Sequence, residues 1–282
     1  MIPLSTDEIS EAVLKLPSLP GIVVELFRVL DDEDVDVNLL SQKISHDQGL
    51  ATKVLGLANS SFYGMQSKVG SIAYAVSVLG FSSIRALVTA AGVAQAFSAN
   101  PSSNGLTHAQ LWKHAIATAL AARALAKSVG ENEDQAFIAG LLHNVGRQVL
   151  IAYDPIRYRE VLSWSTAHDA ELSLAESEVL GMNHTVVGRA ALARWNFPAA
   201  IVETLNPDLS GTLGVHFKAA SVIAVADAIA YALDLDGNPD TQVPTLSQAQ
   251  WDQLELNDEI LMEVFSMTER SFEDVCTILK AA

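Results

Sequence analysis

Apolar residues recur every three or four positions along most of this chain, as in "ELFRVLDDED" (25–34), "NLLSQKI" (38–44) and "HAIATALAARALAKSVG" (114–130). That period is the stripe of an amphipathic helix, and no stretch alternates with period two for long enough to argue for a strand. The expected fold class is therefore all-α. The local punctuation agrees. Ser5 with Glu8 reads as a capping box before the first helix, Gly130 follows the last periodic residue of the 106–129 segment, and Pro198 can open a helix at its first turn. The cluster "SANPSSNG" (98–105) divides an N-terminal helical lobe, 1–100, from a second helical lobe, 101–282. Within the latter, a loop over 234–245 sets off a C-terminal amphipathic segment.

Composition narrows the functional classes. The chain has 282 residues, half of them hydrophobic, which is enough to bury a large core. A formal charge of −16 repels polyanions, so general nucleic-acid binding is not expected. Cys276 is the single cysteine, which rules out an intramolecular disulfide and fits a reducing compartment. The opening "MIPLSTDEIS" has neither a basic nor an apolar leader region, so the expected localisation is cytoplasmic. The most apolar windows, "AVSVLGFSSIRALVTAAGVAQAF" and "AASVIAVADAIAYAL", are interrupted by Arg85 and serines in one and by Asp227 in the other. They read as core helices, and no membrane partner is expected.

The candidate chemistry is sparse and sits on apolar helices. His114 lies in "LWKHAIATALAARALA", His143 and Asn144 lie side by side in "AGLLHNVGRQVL" (139–150), and Asp227 lies in "VIAVADAIA". Neighbouring helices that each bring one ligand-capable side chain can build a metal site in a bundle. Taken singly, His114 can instead bond a core carbonyl, and Asp227 can pair with a nearby cation. His184, in "GMNHTVVGRAALARWNFP", is a weaker candidate ligand, the alternative being a cap-region histidine bonded to backbone. Arg147 is a candidate phosphate clamp, with Lys113 beside it in the ligand-binding set; the alternative for Arg147 is an exposed helix face. His108, His168 and His216 fall near predicted helix ends or loops and are expected to face solvent. The literal pair His46–Asp47 lacks a small-residue helix before it and reads as the cap of the helix that follows, through Asp47 or through Ser45 with Gln48.

The order His114, then His143 with a polar neighbour followed by Gly146 and Arg147, then Asp227, resembles the HD superfamily of metal-dependent phosphohydrolases. Their pattern is His, His-Asp, Asp. Asn144 stands where the Asp of the His-Asp pair falls. An amide offers one neutral carbonyl oxygen, so metal affinity should drop and metal-generated hydroxide should be lost with it. Upstream, Leu16, Pro17, Leu19 and Pro20, then "DQGLATKVLGLANSSFYG" with Gln48 in place of a proline, then Ala75, Leu79 and Gly80, resemble the HDOD family. This is the HD-related output domain of bacterial signalling proteins. The resemblance covers about residues 10–235. Read from the residues alone these motifs are structural: Pro17 and Pro20 set an extended entry into a helix over 20–31, while Asn59 and Gly64 suit a helix exit and turn.

The resemblance implies a multi-helix HDOD fold, an N-terminal lobe packed on an HD-like bundle. It implies a non-catalytic bacterial signal-transduction or regulatory module with a degenerate HD metal site, acting through protein–protein or small-ligand binding. The alternative is a metal-dependent phosphohydrolase acting on a nucleotide or cyclic dinucleotide. The chain carries no GGDEF, EAL or receiver-like pattern and so looks like a stand-alone HDOD protein. No cofactor is expected, a weakly held divalent metal being the alternative. The expected partner is an unidentified signalling protein, with a nucleotide as a further candidate ligand. The C-terminal segment "DEILMEVFSMTERSFEDVCTILKAA" can dock on its own body or on a partner.

Overall fold

A computed structural model describes residues 36–97, 108–205, 215–237 and 242–280, with Gly21, Val23, Glu25 and Leu26 ahead of them. Every regular element among the described residues is helical. The contacts divide the chain at 99/100 and again at 265/266 into two compact units. The Ser5–Glu8 box and the boundary loop 98–105 lie outside the described residues. Of the expected 20–31 helix, the four described residues are helical.

The smaller unit contains α1 (Val37–His46), α2 (Gln48–Ala58) and α3 (Ile72–Phe97). Asp47 caps α2, its Oδ1 accepting from the Leu50 amide at 2.9 Å, so the His46–Asp47 pair is spent on local structure. Asn59 closes α2 with a clamp across ten residues: Nδ2 donates to the carbonyls of Leu55 (2.7 Å) and Val69 (2.9 Å), and Oδ1 accepts from Val69 N (2.7 Å). Between them Gly64 takes φ 57°, a conformation without the Cβ penalty only for glycine. α3 is long and apolar enough to cross a membrane by length and composition, but 61% of that window is buried inside the protein. Its helix breaks at Gly80, where φ is 79° and ψ 168°.

The last helix, α13 (Asp258–Lys280), passes through the second division, so residues 266–280 belong with the smaller unit and not with the 101–265 lobe. The reason is packing. Phe272, Val275, Cys276 and Leu279 are buried, Ile278 lies against Gly56, and Asp274 accepts from the Ser61 amide at 2.9 Å. The amphipathic stripe read from the sequence is thus used within the chain.

The larger unit runs through α4 (His108–Val129), α5 (Glu133–Leu142), α6 (Val145–Tyr153), α7 (Pro155–His168), α8 (Leu172–Leu180), α9 (His184–Arg194), α10 (Ala199–Val202), a 3₁₀ turn at Glu203–Leu205, α11 (Val215–Ala232), and α12 (Gln248–Leu254). Gly130 leaves α4 at φ 74°. Pro198 stands one place before α10, at its cap, so the helix opens just after the proline and not on it. Small residues set the spacing of the central helices. A Cβ on Gly140 of α5 would lie 2.8 Å from the Ala119 Cα of α4. One on Gly146 of α6 would strike the His184 carbonyl oxygen and come within 2.5 Å of the Gly188 nitrogen of α9. These two glycines let α5 reach α4 and α6 reach α9 at backbone distance, which is what brings the polar side chains of "LLHNVGR" into one interior.

Candidate functional site

His114 on α4, His143 at the end of α5 and Asp227 on α11 meet. Asp227 Oδ1 lies 2.7 Å from His114 Nε2 and 2.9 Å from His143 Nε2, and ligand-capable atoms of the three all lie within 4.8 Å of one another. Both histidines are buried, whereas the Asp227 side chain keeps 20% of its surface exposed. The ring of Tyr231, one helical turn beyond Asp227, lies over His114 with centroids 4.0 Å apart.

The hydrogen count in this cluster is informative. His143 Nδ1 sits 2.6 Å from the Gly140 carbonyl and must donate to it, because a carbonyl only accepts. Nε2 of the same ring faces an acceptor-only carboxylate, so it either carries a second hydrogen or directs its lone pair at a cation shared with Asp227. Burial would raise Asp227, but the His143 charge and the hydrogen bonds from His114 and His143 hold its carboxyl well below the usual range. Burial lowers His114, opposed by the hydrogen bond to Asp227. Two imidazole nitrogens and one carboxylate oxygen form a donor set that suits a divalent transition metal. His114, His143 and Asp227 would hold such an ion, which when bound acts as a Lewis acid toward phosphoryl oxygens and water.

Asn144 does not join them through its amide nitrogen. It caps α6 without a side-chain capping bond, is 3% exposed, and leaves Nδ2 buried with no partner. A buried amide donor left in that state costs about 1–3 kcal/mol.

Arg147 and His184 belong to a second cluster. The guanidinium is buried; Nε donates to Glu176 Oε1 at 3.1 Å and a terminal nitrogen donates to the Tyr231 hydroxyl at 3.2 Å. An exposed helix face does not describe this residue, which is buried where Gly146 brings α6 within backbone distance of α9. Glu176, on α8, is fully buried and accepts four hydrogen bonds: from Arg147, from the Tyr158 hydroxyl (2.8 Å), and from the backbone nitrogen (2.8 Å) and Nδ1 (2.5 Å) of His184. Since His184 Nδ1 donates to Glu176, its 3.2 Å contact with Arg147 is an approach of two donors. Burial lowers His184, against the opposing pull of Glu176. Burial would raise Glu176, but His184 and Arg147 bring it down to about 2.

Lys113 is half-buried on α4. His168 is exposed at the end of α7, where its ring stacks on Trp164 at 4.1 Å. His108 and His216 have side chains outside the described set. Sequence reasoning missed Glu176, Tyr158, Tyr231 and Asp236. The signal for Glu176 was available: in "LSLAESEVLGMN" it occupies the 175/176/179/180 stripe that faces inward.

An all-helical unit that brings His, His and Asp from three helices to one point defines the class, an HD-like helical domain. The HDOD domain family matches residues 16–207, and the chain belongs to that family. Among solved structures, a provisionally assigned phosphohydrolase from Shewanella amazonensis SB2B is 28% identical with a TM-score of 0.75, covering 96% of this chain and 98% of that one. An HDOD domain protein of unknown function from Geobacter sulfurreducens, 22% identical with TM-score 0.73 and 98% coverage of both chains, shares the fold. So does a provisionally assigned signal transduction protein from Marinobacter aquaeolei VT8, 23% identical with TM-score 0.73, covering 97% of this chain and 65% of that one. An uncharacterized protein of Treponema pallidum (strain Nichols) is 28% identical over 204 residues, which span 70% of this chain but 38% of the relative.

Proposed function

We propose that this chain is a non-catalytic bacterial signal-transduction module, acting through protein or small-ligand contacts, whose His114–His143–Asp227 cluster is a degenerate HD metal site. The observation that carries the reading is Asn144. By sequence it stands at the Asp of the His-Asp pair, and it is buried; a neutral amide at that place lacks the full negative charge that a carboxylate would bring. A donor set short of that charge holds a divalent ion less tightly than the His, His-Asp, Asp set does, and a less tightly held ion is a poorer source of hydroxide at neutral pH. Arg147 is buried and bonded to Glu176 and Tyr231, which ties this cation to the neighbouring cluster rather than to a phosphate.

The test is turnover. The full chain, assayed with nucleotide monophosphates, cyclic nucleotides and cyclic dinucleotides in millimolar manganese, should release no product above a His143→Ala control. A nucleotide that acts as a bound signal should instead raise the melting temperature without being consumed. The second reading, a phosphohydrolase, is favoured by the convergence of the three ligand atoms within 4.8 Å. Product release abolished in His143→Ala would establish it and end the first.

A further inference from the structure

Past Asp227, α11 ends in a tight turn over 233–236, with Asp234 at φ 48° and Gly237 at φ 67°. That turn folds the chain back, so Asp236, nine residues after Asp227, returns to the same histidine from the other side. Its Oδ2 lies 3.9 Å from His114 Nδ1, and the Asp236 side chain is only 6% exposed. His114 Nδ1 is itself buried, and among the described residues it has no hydrogen-bond partner. The imidazole therefore lies between two carboxylates, bonded to one through Nε2 and merely near the other through Nδ1.

We infer that Asp236 is a positioning residue of the cation site: it accepts a hydrogen bond from His114 Nδ1 when a divalent ion takes Nε2. The inference rests on reading His114, His143 and Asp227 as a cation site. In the ion-free arrangement the His114 hydrogen points from Nε2 to Asp227, which leaves Nδ1 bare and explains why that atom has no acceptor beside it. A metal on Nε2 requires the other tautomer, with hydrogen on Nδ1, and a buried N–H without an acceptor is costly. Asp236 is the carboxylate placed to receive it after a shift of about 1 Å, the difference between 3.9 Å and an ordinary N–H···O distance. A carboxylate behind a ligating histidine fixes the ring and raises its basicity, and its loss typically weakens metal affinity 10–100-fold.

The experiment titrates zinc into the full-length chain and into Asp236→Asn and Asp236→Glu by calorimetry. In parallel, long-range nitrogen–proton NMR follows His114, assigned by the signal missing in His114→Gln. The expected result is a zinc-induced move of the His114 hydrogen from Nε2 to Nδ1, a 10–100-fold affinity loss in Asp236→Asn, and partial recovery in Asp236→Glu. Equal zinc affinity in the native chain and Asp236→Asn, or a His114 hydrogen still on Nε2 with zinc bound, overturns the role of Asp236 and leaves the cation site standing. Should Asp236→Asn fail to fold, the Nδ1 proton of His114 in the zinc-bound native chain decides: a proton moved far downfield by a carboxylate acceptor is the expected result, and one without that shift overturns the role of Asp236. No zinc binding by the native chain at millimolar concentration overturns both the inference and the cation-site reading beneath it.

Discussion

Two buried polar clusters lie in the larger unit, and they are built on opposite principles. Around Glu176, Arg147 and His184 the carboxylate has four donors, a buried guanidinium opposes its charge, and no part of it is exposed. Around Asp227 one oxygen is shared by two imidazoles, His114 Nδ1 has no hydrogen-bond partner among the described residues, and the side chain is 20% exposed. Tyr231 touches both, its hydroxyl accepting from Arg147 and its ring covering His114. A saturated, buried cluster contributes to the fold as it stands, whereas in an unsaturated one a ligand can supply the missing partners.

The comparison can be broken most severely at Glu176. Glu176→Gln leaves Arg147 buried without a counter-charge and should cost roughly 3–5 kcal/mol in urea unfolding. A loss below 1 kcal/mol would show that the cluster is not structural. The same carboxylate predicts a pH limb. Its folded pKa is depressed from 4.5 to about 2, so the stability it contributes is complete above the unfolded value and drains away as pH falls through the folded one. About 3 kcal/mol should disappear between pH 4.5 and 2, and Glu176→Gln should lack that limb.

At the other cluster, Asp227→Asn removes the negative charge that two imidazoles share but keeps an amide oxygen able to accept from one of them, so the unfolding free energy should fall by about 2 kcal/mol, less than for Glu176→Gln. A larger loss at Asp227 than at Glu176 would invert the assignment of roles. The smallest effect sharpens the picture: Tyr158→Phe deletes one of four hydrogen bonds to Glu176 and should cost about 1 kcal/mol, with no change in zinc affinity.

The sequence carried the helices well, because a period of three and four is imposed by one-sided burial and survives in the residues themselves. It carried His114, His143 and Asp227 because each is polar inside an apolar run, and the helices do bring these three together. It did not carry Arg147 correctly. Whether an arginine beside a small residue faces water depends on how near the next helix comes, and that is set by Gly146 meeting α9, a partner more than thirty residues away. Glu176 was legible only as a misplaced acid in an inward stripe. Asp236 was hidden because its placement follows from the backbone turn over 233–236, and a loop acid carries no periodic signal.

The most direct test of the central claim is metal content per chain, by elemental mass spectrometry, for the native protein and Asn144→Asp purified side by side without chelators or a metal-affinity tag. The account predicts a small fraction of an equivalent in the native chain and close to one equivalent of a divalent transition metal in Asn144→Asp, because the added carboxylate supplies the missing charge. A full equivalent of tightly held metal in the native chain, unchanged by the substitution, would contradict it and make the phosphohydrolase reading the better one.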